Sequence, residues 1–346
     1  MSAVRSALHK ARRQTRAASW VVGICMMALG ACAPRIAPMG AAPQAPTLAE
    51  DHIQTADGIR LPLRYWPAKD SAPRAVILAL HGFNDYSKSF ENPAAAWNEA
   101  GISVYAYDQR GFGDAPHRGM WGGIEAMTGD LIVTSRLLRR RHPGTPLYLL
   151  GESMGGAVIL AAYADGGGGR PEADGVVLSA PAVWSRNHMP VYQRAALWLG
   201  AHTTPWLTLS GRGLKIKPSD NIEMLRALGR DPRVIKATRI DALWGLTDLM
   251  DRALAAAPAL DTRALILYGK TEDLIPDAAQ RDLLAVLPDT GLWRHTEYAT
   301  GYHMLLRDLN AAVVLRDITD WALAAPEAPV EDGTAIAERP GGAARR

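Results

Sequence analysis

The sequence predicts an α/β protein: a mainly parallel central sheet with helices on both faces and a helical insertion over one edge. Three observations predict it. Short, near-continuous apolar runs of strand length recur between residues 51 and 324, and longer segments with helical periodicity separate them. A turn signal, Asp57-Gly58, stands between two strand-like pieces at the start of this region. Strands buried on both faces lose the alternation of apolar and polar side chains, which is the mark of a parallel sheet covered by helices.

Taken in order, Ile53 to Trp66 reads as a hairpin around Asp57-Gly58, an antiparallel addition at the sheet edge. AVILAL (75–80), SVYAYD (103–108), LYLLG (147–151), GVVLSA (175–180), ALILYG (264–269) and LWRHTEY (292–298) read as strands. Segments 87–100, 123–141, 153–164, 276–287 and 308–323 read as helices; the last places Val314, Ile318 and Trp321 at i, i+4 and i+7 on one face. The core is therefore expected over 51–183 and 258–324. Between them, 184–257 breaks the rhythm with no evident strand, several prolines and Trp184, Trp198, Trp206 and Trp244. It is expected to be a helical cap on the C-terminal edge of the sheet, the alternative being connector helices packed on the sheet.

The ends of the 346-residue chain read differently from its body. Residues 1–31 join a basic start to a short apolar stretch, SWVVGICMMALG, too short for a membrane span and suited to a signal peptide. Leu29-Gly30-Ala31-Cys32 resembles a bacterial lipobox, so Cys32 is the expected lipidation site; Cys25, behind bulky Ile24, is the poorer candidate. The alternatives are a signal cut after Ala31-Cys32-Ala33 or an uncleaved anchor. Lipidation implies an exported protein held at a membrane surface by its acyl chains. Residues 32–50 are expected to be an Ala/Pro-rich tether, and 325–346 a disordered tail. The first 31 residues hold Arg5, Lys10, Arg12, Arg13 and Arg16 and no acid, leaving 33 basic against 35 acidic side chains in the rest. A body with net charge −2 argues against nucleic acid as a partner.

The sharpest chemical signal is Gly151-Glu152-Ser153-Met154-Gly155-Gly156, between the strand LYLL and an apolar helix. A turn this tight needs small flanking residues and leaves the serine hydroxyl projecting from the sheet edge as a nucleophile. Such a serine needs a base, and the base an orienting acid, later in the chain. His303, in Thr300-Gly301-Tyr302-His303-Met304 after the last strand, is the expected base; His295 competes but lies within the strand pattern. The acid is expected in Gly269-Lys270-Thr271-Glu272-Asp273-Leu274-Ile275-Pro276, with Asp273 favoured and Glu272 the alternative. The developing oxyanion requires two backbone donors, expected from the Met154 N–H and from Phe83 in His81-Gly82-Phe83-Asn84-Asp85-Tyr86. His81 reads as a structural hydrogen-bonder, and Asp108-Gln109-Arg110-Gly111 as a loop-shaping element. No cluster has metal-ligand spacing, and neither metal nor cofactor is expected.

HGFNDYS, DQRGFGD, GESMGGA, GKTEDLIP and GYHML, in this order and spacing, resemble the monoacylglycerol lipase and lysophospholipase branch of the α/β-hydrolases, the group classed with serine aminopeptidases as hydrolase 4. The likeness runs from about Ile53 to Ala324, and Asp231-Pro232-Arg233-Val234 also resembles that branch. It implies the α/β-hydrolase fold, Ser153, Asp273 and His303 as triad, and Phe83 and Met154 as oxyanion donors. Glu152 departs from the family, which more often has histidine there. The resemblance implies an ester hydrolase acting on single-chain lipids, with a short-chain carboxylesterase or peptidase as the alternative activity. A non-catalytic lipid-binding lipoprotein is the alternative of a different class.

Overall fold

The computed structural model describes residues 33–324 except 42, 71, 165–168, 212, 214 and 215. The expected signal peptide (1–31), Cys32 and the tail (325–346) lie outside the described residues. Strands β1 (Thr47–Leu48), β2 (His52–Gln54), β3 (Arg60–Trp66), β4 (Ala75–Leu80), β5 (Ile102–Tyr107), β6 (Leu147–Glu152) and β7 (Gly175–Ser179) are followed by β8 (Thr208–Ser210), β9 (Ala237–Arg239), β10 (Ala264–Gly269) and β11 (Trp293–Tyr298). The main sheet has the order β1-β2-β3-β5-β4-β6-β7-β10-β11. From β5 to β11 the neighbours run parallel, whereas the β1, β2 and β3 edge is antiparallel. The chain steps outward from β4 to β5 and then returns to the other side of β4 with β6. In an open α/β sheet such a reversal leaves a crevice beyond the carboxyl ends of the two strands, where ligands bind.

Side-chain alternation divides the core. Val76, Leu78 and Leu80 of β4 pack on one face with Leu131, Val158, Leu249 and Leu283. Ala75, Ile77 and Ala79 face the other way, toward Trp97, Val314, Ile318 and Trp321. Helices α1 (Glu91–Glu99), α2 (Ile124–Arg141), α3 (Met154–Ala162), α4 (Val191–Thr203), α5 (Ile222–Arg230), α6 (Ile240–Ala256), α7 (Asp277–Val286) and α8 (Ala311–Leu323) complete the fold. On the second face Trp321 tilts against Tyr148 with ring centroids 5.1 Å apart, and Trp97 Nε1–H donates to the Leu315 carbonyl at 3.3 Å.

Two domain boundaries differ from expectation. The cap was expected over 184–257, but α6 is a core helix: Leu249, Met250 and Ala253 are buried in the cluster that packs on the sheet. Sequence patterning misses this because α6 follows the insertion with no intervening strand of the main sheet. The insertion that remains, 184–239, is also not wholly helical, since β8 and β9 pair antiparallel from Thr208↔Arg239 to Ser210↔Ala237.

Residues 33–50 are likewise not a free tether where the structure describes them. The Ala37 N–H donates to the Trp121 carbonyl at 2.7 Å, the Gly40 N–H to Asp57 Oδ2 at 2.8 Å, and the Gln44 N–H to the Ala56 carbonyl at 2.9 Å. Thr47–Leu48 extends the sheet by pairing with β2. These are backbone contacts to the Trp121 and Ala56 carbonyls, to a carboxylate and to the open edge of β2, for which an Ala/Pro-rich segment shows no periodic signature.

Candidate active site

The turn after β6 places Ser153 at φ 53° and ψ −114°, a left-handed conformation that is strained for a residue with a side chain. Its neighbours permit it by having none. A Cβ on Gly151 would lie 2.4 Å from the Gly156 nitrogen, and one on Gly155 2.1 Å from the Leu80 carbonyl oxygen. The turn is held from both sides: the Ser153 N–H donates to the Ser179 carbonyl at 2.9 Å, and its own carbonyl accepts from Ala157 and Ala182 N–H at 3.1 and 3.0 Å. Strain of this kind costs on the order of 1–3 kcal/mol and persists only where the surroundings over-determine it.

The loop after β4 lies directly against this turn, for a Cβ on Gly82 would stand 3.4 Å from the Ser153 Cβ. Next in that loop, Phe83 packs edge-on against Phe112 at 5.5 Å. Its N–H has no acceptor among the described residues, and Met154, as the first residue of α3, has no intrahelical acceptor for its own. His81 serves the loop's shape. Its Nδ1–H donates to the Gly82 carbonyl at 2.8 Å, and its Nε2 accepts from the Gln109 N–H at 3.0 Å. Burial pushes its pKa down, which keeps the ring neutral in that tautomer. Asp108 and Arg110 also bind neighbours: Asp108 accepts from the Ser87 N–H at 3.0 Å and the Asp114 N–H at 2.8 Å, while Arg110 bridges Asp57 and Asp130.

His303 follows β11, with its side chain 5% exposed, and its Nδ1–H donates to Glu272 Oε2 at 2.7 Å. This corrects the expected acid. Glu272, whose side chain is 1% exposed, reaches the histidine, whereas Asp273 is exposed and accepts a 3.2 Å bond from the Lys217 N–H. Geometry makes the choice: Glu272 Oε1 accepts from the Leu274 and Ile275 N–H groups at 2.6 and 3.1 Å, which turns the other oxygen toward His303. The two loops are also joined through their backbones, from Thr271 N–H to the Gly301 carbonyl at 3.0 Å and from Lys270 N–H to the Tyr298 carbonyl at 2.9 Å. His295 stays within β11, its ring 6.1 Å from that of Tyr268.

Sequence reasoning missed Arg307. Four residues beyond His303, its guanidinium donates to Glu152 Oε1 and to Asp85 Oδ2, both at 2.7 Å. Glu152, the residue that departs from the family pattern, is thus buried in an ion pair at the elbow. Asp308 binds the same loop to the cap, accepting from the Tyr302 N–H at 2.8 Å and the Ser219 hydroxyl at 2.6 Å. Among the described residues, no group of three or more His, Cys, Asp or Glu is placed to hold a metal ion.

A serine at a strained turn, a carboxylate-bound imidazole and two backbone donors share one sheet edge, an arrangement suited to acyl transfer. The chain is 28% identical over 294 residues to the monoacylglycerol lipase of Mycolicibacterium smegmatis, covering 80% of this chain and 97% of that one. It is 26% identical over 281 residues to the human monoglyceride lipase, covering 78% and 89%. Among solved structures, a soluble variant of the monoglyceride lipase from Saccharomyces cerevisiae, in complex with a substrate analogue, superposes with a TM-score of 0.65 at 21% identity, covering 83% of this chain and 98% of that one. The monoacylglycerol lipase of Paleococcus ferrophilus gives 0.63 at 24%, covering 76% and 98%. The model of the hydrolase 4 family, described as serine aminopeptidase S33, matches residues 71–310, and the chain belongs to that family, with the α/β-hydrolase fold.

Proposed function

We propose that this protein is a serine hydrolase that cleaves carboxylic esters of single-chain lipids, a monoacylglycerol or lysophospholipid, through an acyl-enzyme. The observation that carries the reading is the buried His303–Glu272 pair, set at the same sheet edge as the Ser153 turn. Ser153 Oγ attacks the ester carbonyl while His303 Nε2 takes its proton, and Glu272 holds the imidazole in the tautomer that leaves Nε2 free to do so. The negative charge gathers on the former carbonyl oxygen, between the N–H groups of Phe83 and Met154. On collapse, His303 returns the proton to the departing alcohol; water, deprotonated by the same nitrogen, then releases the fatty acid and restores Ser153.

The named relatives support a lipid ester, and the cap supports an interfacial substrate. Helix α4 turns its apolar side chains outward: Val191, Tyr192, Trp198 and Leu199 are exposed at 76%, 71%, 54% and 56%. An apolar stripe that faces solvent fits a lipid surface better than it fits water. A lipidated Cys32 would hold the exported protein at that surface. The test is a series of initial rates on monoacylglycerols, lysophospholipids and p-nitrophenyl esters of two to sixteen carbons, with Ser153→Ala beside the wild type. Turnover of long-chain esters that is lost in the variant supports the reading, and activity confined to short esters moves it to a carboxylesterase.

A further inference from the structure

We propose that Arg307 is a positioning residue whose guanidinium, by bridging Glu152 and Asp85, sets the nucleophile, an oxyanion donor and the general base in mutual register. Three loops at the sheet edge each carry one part of the reaction, and Arg307 joins them. It belongs to the loop of His303, it donates to Glu152, the residue before Ser153, and it donates to Asp85, two residues after Phe83. The Asp85 carboxylate in turn accepts the Tyr86 N–H at 2.9 Å, fixing the far end of the Phe83 loop. The Arg307 carbonyl accepts from Asn221 Nδ2 at 3.0 Å, which adds the cap to the same junction.

The composition of this cluster argues for position over bulk stability. All three side chains are no more than 8% exposed, and burying two carboxylates and one cation carries a desolvation penalty that apolar residues of similar volume would avoid. What a guanidinium supplies is geometry, because its two terminal nitrogens are rigidly spaced and hold one carboxylate each. A lysine keeps the charge but cannot hold two acceptors in one plane. Displacement of a reacting group by about 1 Å can cost about 10²-fold in rate, so a loose junction would appear in kcat.

The inference rests on the ester hydrolase reading above, and the experiment separates the two. Arg307→Lys, Glu152→Leu and Glu152→Gln are made in the full chain and assayed on p-nitrophenyl butyrate. Active sites are counted with a fluorophosphonate, and melting temperatures are recorded. The expected result is a loss of about ten- to a hundredfold in kcat per titrated site for Arg307→Lys and Glu152→Leu, with KM changed less than threefold. Glu152→Gln, whose side-chain oxygen can still accept from Arg307, recovers most of that rate. Melting temperatures and titratable fractions that fall while kcat per site stays within twofold of wild type overturn the inference, and so does a Glu152→Gln no better than Glu152→Leu. A wild type that neither turns over the ester nor labels at Ser153 overturns the hydrolase reading and this inference with it.

Discussion

His303 and Glu272 are joined by a 2.7 Å hydrogen bond between side chains that are both almost wholly buried, while Asp273, one residue along, faces solvent. The consequence is sharp. In Glu272→Gln the amide oxygen stays with the Leu274 and Ile275 N–H groups, and the NH₂ then faces Nδ1. That forces Nδ1 to accept and puts the proton on Nε2, where it cannot receive one from Ser153. We predict a fall in kcat on the order of 10³-fold for Glu272→Gln, and less than about threefold for Asp273→Asn, where the exposed carboxylate accepts from the Lys217 N–H. Steady-state rates on a soluble ester read both.

The strain at Ser153 predicts an opposition between stability and function. Glycine adopts a φ of 53° freely, whereas alanine keeps the penalty of a side chain. Ser153→Gly should therefore be more stable than Ser153→Ala by about 1 kcal/mol, with both inactive. Chemical denaturation midpoints decide it, and equal midpoints would show that the turn is relaxed.

Gly155 allows no such freedom. A Cβ there would stand 2.1 Å from the Leu80 carbonyl oxygen, so β4 and α3 must separate to admit it. Gly155→Ala should cost about 3 kcal/mol or more, read as a lowered melting temperature or as failure to accumulate folded protein.

Asp308 gives a pH dependence. Burial pushes its pKa up to about 6, against the opposing hydrogen bonds from Ser219 and Tyr302. For an acid raised above its ordinary value, the folded state holds the proton more tightly. This contribution to stability is present below about pH 4 and is lost as pH rises through 6. Between those limits the wild type should lose roughly 1–2 kcal/mol more than Asp308→Asn, which does not titrate there. Urea midpoints from pH 4 to 7 for the two proteins measure it; parallel curves would remove Asp308 from the account.

The outward apolar stripe of α4 predicts interfacial binding independent of any lipid on Cys32. A chain beginning at Ala33 should partition onto phosphatidylglycerol vesicles, and Val191→Ser with Trp198→Ser should weaken that about tenfold or more, each removing apolar area worth ~1 kcal/mol or more. Sedimentation with vesicles reads the partition. Equal partitioning of both proteins would place the membrane contact elsewhere.

Most of the sheet was legible because its signal is local. Runs such as AVILAL and ALILYG are apolar on both faces for the reason that both faces are covered, and the Ser153 turn is written in the glycines that flank it, Gly151, Gly155 and Gly156. The acid was harder to read, since Glu272 and Asp273 are adjacent carboxylates and only the direction of two backbone N–H groups tells them apart. Arg307 could not be found by any spacing rule: its partners lie 155 and 222 residues away, and a lone arginine in a loop ordinarily faces water. Residues 33–50 dock through their backbone, and α6 follows the insertion directly, so neither boundary has a compositional mark. For Glu272, Arg307 and residues 33–50 what decided the structure was a contact of a polar group, which hydrophobic periodicity does not encode, whereas α6 is fixed by apolar burial of Leu249, Met250 and Ala253 on the sheet.

In the proposed reaction Ser153 carries the acyl group of a lipid ester between two half-reactions. The most direct test is an acid quench of the protein turning over a long-chain monoacylglycerol, followed by mass analysis of the peptide that contains Ser153. A mass increase equal to the acyl chain is expected on that peptide, absent from Ser153→Ala, with fatty acid release abolished in the variant. Fatty acid release that persists in Ser153→Ala would contradict it.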